Sequence, residues 1–271
     1  MKKIILLNTL LIISIISIAQ STINHTLYHE LEAKNRTYKV HLPPNYDSTQ
    51  SYSLVINMHG FSGNSTSQMQ YSAFNTIADT GNFIVVYPQG LVGTTSWGWT
   101  DTQWNAYYGT GTKDLEFIDT LIDRMYYDYN IDLKRVYSTG HSNGGYMSYM
   151  LACELSDRIA AIASVGGAMA FQQEGNCNIS HPMPIMQIHG TDDQTVSFNG
   201  SALNSSIPDL IDYWKDKNNC TSDSILDSIP NTNLGDSTTA IIEDYNMCDS
   251  FSNVVLITVE NGGHTWPGAI P

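Results

Sequence analysis

The chain is predicted to be an α/β protein: a mostly parallel central sheet with helices on both faces, folded as a single domain. Three observations predict this. Short apolar runs alternate with segments of helical period, the pattern of strand–helix–strand units. The run Phe83-Ile84-Val85-Val86-Tyr87 is apolar without alternation, as in a strand buried on both faces. Three glycine-containing turns directly follow predicted strands, where open parallel sheets place their sites.

The elements follow in order. Residues 36–42 and 52–58 read as strands, the second running into the turn-rich His59-Gly60-Phe61-Ser62-Gly63-Asn64. Residues 67–79 read as a helix and 82–87 as a strand. A long irregular loop is expected over 88–112. In 114–129, Leu115, Ile118, Leu121, Ile122 and Met125 recur at helical spacing. A strand over 135–139 precedes a helix over 143–154. Strands over 159–165 and 184–189, a helix over 203–218 and a strand over 254–259 complete the pattern.

The first residues read as a leader outside this domain. Lys2 and Lys3 precede an apolar stretch from Ile4 to Ile18 that closes on Ser17-Ile18-Ala19. That is too short for a membrane span and ends in a small-residue cleavage pattern, so residues 1–19 are expected to be a signal peptide and 20–271 the domain. Losing Lys2 and Lys3 with the leader takes the formal charge from −14 to −16. So acidic a surface repels nucleic acid and anionic lipid and suits an uncharged substrate. No later segment is apolar enough to span a membrane, and a secreted monomer is expected. Four cysteines, Cys153, Cys177, Cys220 and Cys248, behind a leader point to two disulfides. Three pairings are possible; Cys153–Cys177 with Cys220–Cys248 closes the shorter loops and is preferred on entropy. There is no CxxC and no paired histidine nearby, so these cysteines do not resemble a zinc site.

The chemistry lies in the three turns. Gly140-His141-Ser142-Asn143-Gly144 joins a predicted strand to a predicted helix. Glycines flank a nucleophile there because the turn is too tight for side chains, and the following helix N-terminus favours developing negative charge. His189-Gly190-Thr191-Asp192-Asp193 supplies a carboxylate to orient a base, with Asp193 preferred over Asp192 on the H-G-x-x-D pattern. Gly262-Gly263-His264 supplies the base after flexible glycines. The order Ser142, Asp193, His264 is the one expected of a serine nucleophile in such a sheet. His59, His141 and His189 lie inside the motifs and are expected to shape their turns. The oxyanion of acyl transfer needs two donors, expected from the backbone N–H groups of Asn143 and Phe61. The chemistry calls for no metal and no cofactor.

Taken together these residues resemble the secreted polyhydroxybutyrate-depolymerase/feruloyl-esterase family of α/β-hydrolases, which includes the carbohydrate esterases of family one. The likeness runs from about Thr37 to the end. It rests on Met58-His59-Gly60, Tyr87-Pro88, Asp114 with Phe117-Ile118, and Arg135 through Gly145. It continues through Leu151-Ala152-Cys153, His189 through Asp193, and Gly262-Gly263-His264-Thr265-Trp266-Pro267-Gly268. The resemblance implies a triad of Ser142, Asp193 and His264, and a bridge between Cys220 and Cys248. Two departures stand out. Phe61-Ser62 occupies a place where relatives often carry cysteine, which keeps the main-chain donor but changes the pocket wall. The chain also stops seven residues past His264, where relatives continue into a closing helix. It is then either a fragment or a fold with one edge less well covered.

The expected reaction is hydrolysis of carboxylic esters through an acyl-enzyme, on feruloyl or acetyl esters of plant polysaccharides or on polyhydroxyalkanoate-type polyesters. Trp97, Trp99, Trp104 and Tyr107 in the long loop, with Trp266 after the base, are expected to present flat surfaces to such substrates. Two other readings are a serine peptidase on the same fold and an inactive carbohydrate- or polymer-binding module.

Overall fold

A computed structural model describes residues 21–95, 98–106, 111–221 and 223–269. The expected leader, Trp97 and Tyr107 lie outside them. The elements are β1 (Ser21–His29), β2 (Lys34–Leu42), β3 (Tyr52–Met58), α1 (Ser65–Ser72), α2 (Phe74–Gly81), β4 (Ile84–Pro88), β5 (Leu91–Thr94), β6 (Thr100–Gln103) and α3 (Asp114–Tyr129). They continue as β7 (Ile131–His141), α4 (Asn143–Glu154), β8 (Ala161–Val165), α5 (Phe171–Glu174), β9 (Ile185–Gly190), α6 (Ile207–Lys217), β10 (Ile225–Ile229), β11 (Thr239–Tyr245) and β12 (Val254–Glu260).

Ten strands form one sheet in the order β1-β2-β4-β3-β7-β8-β9-β12-β11-β10. The six from β4 to β12 in that order run parallel, and each edge is extended by an antiparallel pair. The expected mostly parallel sheet is therefore present, with edges longer than the periodicity indicated. Strand alternation assigns its two faces. Leu54, Ile56 and Met58 of β3 join a large core with Phe117, Leu121 and Met125 of α3, Met147 and Leu151 of α4, and Trp214 of α6. On the opposite face, Asn57 exchanges hydrogen bonds with Gln68 and Ser72 of α1, and Val85 and Tyr87 pack on Ala78 of α2. The two disulfides are Cys153–Cys177 and Cys220–Cys248, the local pairing.

Three departures have local causes. The helix expected over 67–79 is two helices, because Ala73 takes a left-handed conformation (φ 50°) between them. The first starts early because the Asn64 side chain accepts the N–H groups of Thr66 and Ser67 as a cap. The expected irregular loop contains the hairpin β5–β6. On the α1 face no described helix covers β9 and β12. A cavity of about 680 Å³ lies there, lined by Tyr71, Ile188, Ile257, Val259 and Trp266 among others. Among the described residues no helix is long and apolar enough to cross a membrane.

A buried ion pair fixes the long loop. Arg36 of β2 donates to Asp114 Oδ1 at 2.6 Å and to Glu32 Oε2 at 2.9 Å, and its guanidinium lies over the Phe117 ring. Asp114 Oδ2 accepts the Asn105 N–H (2.8 Å) and the Thr112 hydroxyl (2.6 Å). Both ends of the 105–112 segment are thus held by one carboxylate whose charge is compensated in the core.

Candidate active site

β7 delivers Ser142 to the carboxyl edge of the sheet, and α4 begins at the next residue. Ser142 has φ 54° and ψ −116°, a conformation that residues with a side chain rarely adopt. The fold imposes it. The Ser142 N–H donates to Val165 O at 2.8 Å, and its carbonyl accepts the Tyr146 N–H at 3.0 Å. The flanking positions have no room for side chains. A Cβ on Gly140 would lie 2.6 Å from the Gly144 carbonyl oxygen, and one on Gly144 would overlap the Met58 carbonyl. The glycines of the motif are therefore a packing requirement of β3 against the turn.

The loops after β9 and β12 are joined by backbone. Thr191 N–H donates to Val259 O at 3.0 Å and Asp192 N–H to Gly262 O at 2.9 Å, while the Thr191 hydroxyl accepts the Asn261 N–H at 2.8 Å. This brings His264 Nδ1 to 2.7 Å from Asp193 Oδ2. Asp193 Oδ1 accepts the N–H groups of Thr195 and Val196, both at 2.8 Å. Burial works against the Asp193 charge, but the hydrogen bonds from His264, Val196 and Thr195 outweigh it and hold the carboxyl below its ordinary range. Asp192 is exposed. Among the described residues no hydrogen bond links Ser142 Oγ to His264, whose Nδ1 is held by Asp193.

The loop after β3 lies against the Ser142 turn: a Cβ on Gly60 would be 3.3 Å from Ser142 Cβ. Its hydrogen bonds use the amides of Ser62, to Thr102 O at 2.9 Å, and of Gly63, to Gly60 O at 3.1 Å. The amide of Asn143, first residue of α4, has no intrahelical acceptor. The Asn143 side chain has a separate task that the sequence did not reveal. Its Oδ1 accepts the Trp104 N–H at 2.7 Å and its Nδ2 donates to Trp104 O at 3.2 Å.

The aromatic residues divide by burial. Trp104 is fully buried and donates its indole N–H to His59 O at 2.9 Å, so it cannot present a face to a ligand as expected. It builds the floor beneath the loop instead. Trp99 is 65% exposed, beside Phe61, with ring centroids 6.3 Å apart. Trp266 is half-buried edge-on to Phe74, and its backbone N–H donates to Tyr71 Oη at 2.8 Å.

The other motif histidines are used structurally. His59 donates from Nδ1 to Gly60 O (2.7 Å) and accepts the Gly90 N–H at Nε2 (2.9 Å). His189 donates from Nε2 to Val196 O (2.7 Å) and accepts the Gln187 amide at Nδ1 (2.9 Å). Burial lowers the pKa of both, and burial with the neighbouring His264 takes His141 down to about 4. In the unfolded chain these histidines take up protons near 6.5. Between about 6.5 and 4 the unfolded state therefore binds more protons, and stability falls as pH drops through that window. Glu32 acts in the same direction lower down. Burial opposes its charge, but hydrogen bonds from the Lys113 amide, Arg36 and His29 hold it at about 2, so its contribution is lost as pH falls from 4.5 toward 2. The urea midpoint should fall steadily from pH 7 to pH 4; a flat profile there would contradict burial of the neutral histidines.

Comparison with known proteins places this geometry in a family. The phospholipase/carboxylesterase family model matches residues 46–242, well over half the chain. A bifunctional acetylxylan esterase/xylanase from Neocallimastix patriciarum is 28% identical over 238 residues, spanning 88% of this chain and 32% of that protein. Feruloyl esterase B from Piromyces equi is 27% identical over 236 residues, spanning 83% and 42%. The chain thus spans less than half the length of these two relatives. Among solved structures, an acetyl xylan esterase from Aspergillus awamori shares the fold with a TM-score of 0.64 at 16% identity, over 91% of this chain and 95% of that one. A ferulic acid esterase from Anaeromyces mucronatus does so with a TM-score of 0.60 at 17% identity, over 91% and 85%. With its strained serine turn and parallel sheet, the chain belongs to the phospholipase/carboxylesterase family.

Proposed function

We propose that the chain is a secreted serine carboxylic ester hydrolase that cleaves feruloyl or acetyl esters of plant polysaccharides. The observation that carries this reading is the 2.7 Å hydrogen bond from His264 Nδ1 to Asp193, with both residues in loops after strands and the His264 ring 4.8 Å from that of His141, the neighbour of the strained Ser142. His264 Nε2 takes the Ser142 proton as Oγ attacks the ester carbonyl, and Asp193 stabilises the imidazolium that forms. The tetrahedral oxyanion accepts from the N–H groups of Asn143 and Phe61, each lowering the barrier by roughly 3 kcal/mol. His264 then returns the proton to the departing alcohol. Water attacks the acyl-enzyme with the same base.

The names of the relatives support the substrate class, as does the exposed pair of Trp99 and Phe61, an apolar patch of two tilted rings whose Phe61 follows Gly60, the residue packed against Ser142. The leader-like start and the two disulfides support an extracellular setting. The test is turnover of methyl ferulate, acetylated xylan and polyhydroxybutyrate film by the full chain. Preferred turnover of either plant-wall ester is expected. Turnover of the polyester film alone would move the substrate assignment, and turnover of none would overturn the esterase reading.

A further inference from the structure

His264 follows Gly262 and Gly263, and a Cβ on Gly263 would meet nothing within 4 Å. The backbone at Gly262 places the loop, but the position directly before the base packs against nothing that would hold the imidazole plane. The hydrogen bond to Asp193 fixes one ring nitrogen, but a single bond leaves the ring plane free to turn about it. Something else must set the plane.

A second imidazole lies against it. The His141 ring centroid is 4.8 Å from that of His264, with the planes tilted by 43°. His141 is enclosed by the turns around the nucleophile. A Cβ on Gly60 would lie 3.4 Å from its Nδ1, and one on Gly166 would lie 3.6 Å from its Nε2 and 3.4 Å from His264 Nδ1. On its far side Tyr71 packs edge-on, centroids 5.3 Å apart at 70°. Tyr71 Oη in turn accepts the backbone N–H of Trp266, two residues beyond His264. One continuous contact path thus runs from α1 through both rings to the loop that carries the base.

We propose that His141 and Tyr71 are positioning residues: the His141 ring sets the plane of His264, and the Tyr71 hydroxyl anchors the loop behind it. This rests on the reading of His264 as the base. The His141 ring acts by shape. Its Nε2 is buried and has no hydrogen-bond partner among the described residues, so no directional bond there accounts for its placement. It also stays neutral: burial, and then proximity to His264, hold it at about 4, so it adds no positive charge beside the imidazolium that forms during the reaction.

The experiment compares His141→Ala, His141→Phe, His141→Asn and Tyr71→Phe in the full chain, with p-nitrophenyl acetate as substrate and a fluorophosphonate as the label for Ser142. His141→Ala should lower kcat on the order of 100-fold with little change in KM, because a misaimed base slows chemistry rather than binding. His141→Phe should recover most of that loss, since the ring returns without its nitrogens. Tyr71→Phe, which removes one hydroxyl from an otherwise intact ring, should lower kcat several-fold, again without raising KM. Wild-type kcat in His141→Ala would overturn the proposal, and so would recovery by His141→Asn but not by His141→Phe. Failure of the wild-type chain to take the label at Ser142 would sink the nucleophile assignment and this inference with it. Labelling at equal rates in wild type and His141→Ala would sink the inference alone.

Discussion

Ser142→Ala is expected to lower kcat for p-nitrophenyl acetate by about a million-fold, the scale on which removal of a serine nucleophile acts. Binding should survive, because the aromatic surface at Phe61 and Trp99 and the backbone donors are untouched. The same position carries a stability signature. Ser142 holds φ 54° and ψ −116°, a region open to glycine but strained for any residue with a Cβ. Ser142→Gly should therefore be as inactive as the alanine variant yet more stable than it, by roughly 1 kcal/mol. Urea unfolding of the two variants measures this directly. Residual activity within tenfold of wild type in either would move the nucleophile elsewhere. Equal stability of the two would show that the strain is relieved in solution.

Asp193→Asn is the second large effect. The carboxylate accepts the Nδ1–H of His264 at 2.7 Å and so fixes the tautomer in which Nε2 is free to take a proton. A carboxamide of the same shape can place an N–H there instead and select the wrong tautomer. The expected loss in kcat is on the order of 10⁴-fold. Folding should be nearly intact, because an amide oxygen can still accept the Thr195 and Val196 amides that Asp193 Oδ1 accepts now. The measurement is kcat with the urea midpoint recorded alongside. A loss below tenfold would reduce Asp193 to a loop-structuring residue. A matching loss from Asp192→Asn would implicate the wrong neighbour, since Asp192 is exposed while Asp193 is buried.

The proposed site was legible in the sequence because its parts are local. Gly140-x-Ser142-x-Gly144 between a strand and a helix needs only the chain on either side to define a tight turn. Asp193 and His264 each follow a strand, and parallel strands end on one edge of a sheet, so sequence order alone brings the three loops to the same side. Tyr52–Met58, Asp114–Tyr129 and Asn143–Glu154 have the bounds that their patterns predict. The misses share a cause. β10 is exposed along its whole length and β1 along most of it, so neither has the buried alternation by which strands are found. Ala73 breaks a helix without any glycine or proline to announce it.

The sequence by itself determined the α/β class and the three strand-end loops that carry Ser142, Asp193 and His264, because periodicity and turn residues act over a few positions. Only the tertiary structure decided which aromatic rings meet solvent. Trp99 and Trp104 are five residues apart in the same loop, yet the first is 65% exposed and the second fully buried. The difference lies in partners distant in sequence: the Asn143 amide and the His59 carbonyl draw Trp104 into the core, and the β5–β6 hairpin holds Trp99 out beside Phe61. The packing of Tyr71 and His141 behind His264 is of the same kind. Burial is a property of the assembled chain, since the surface a side chain loses is covered by residues far away in sequence.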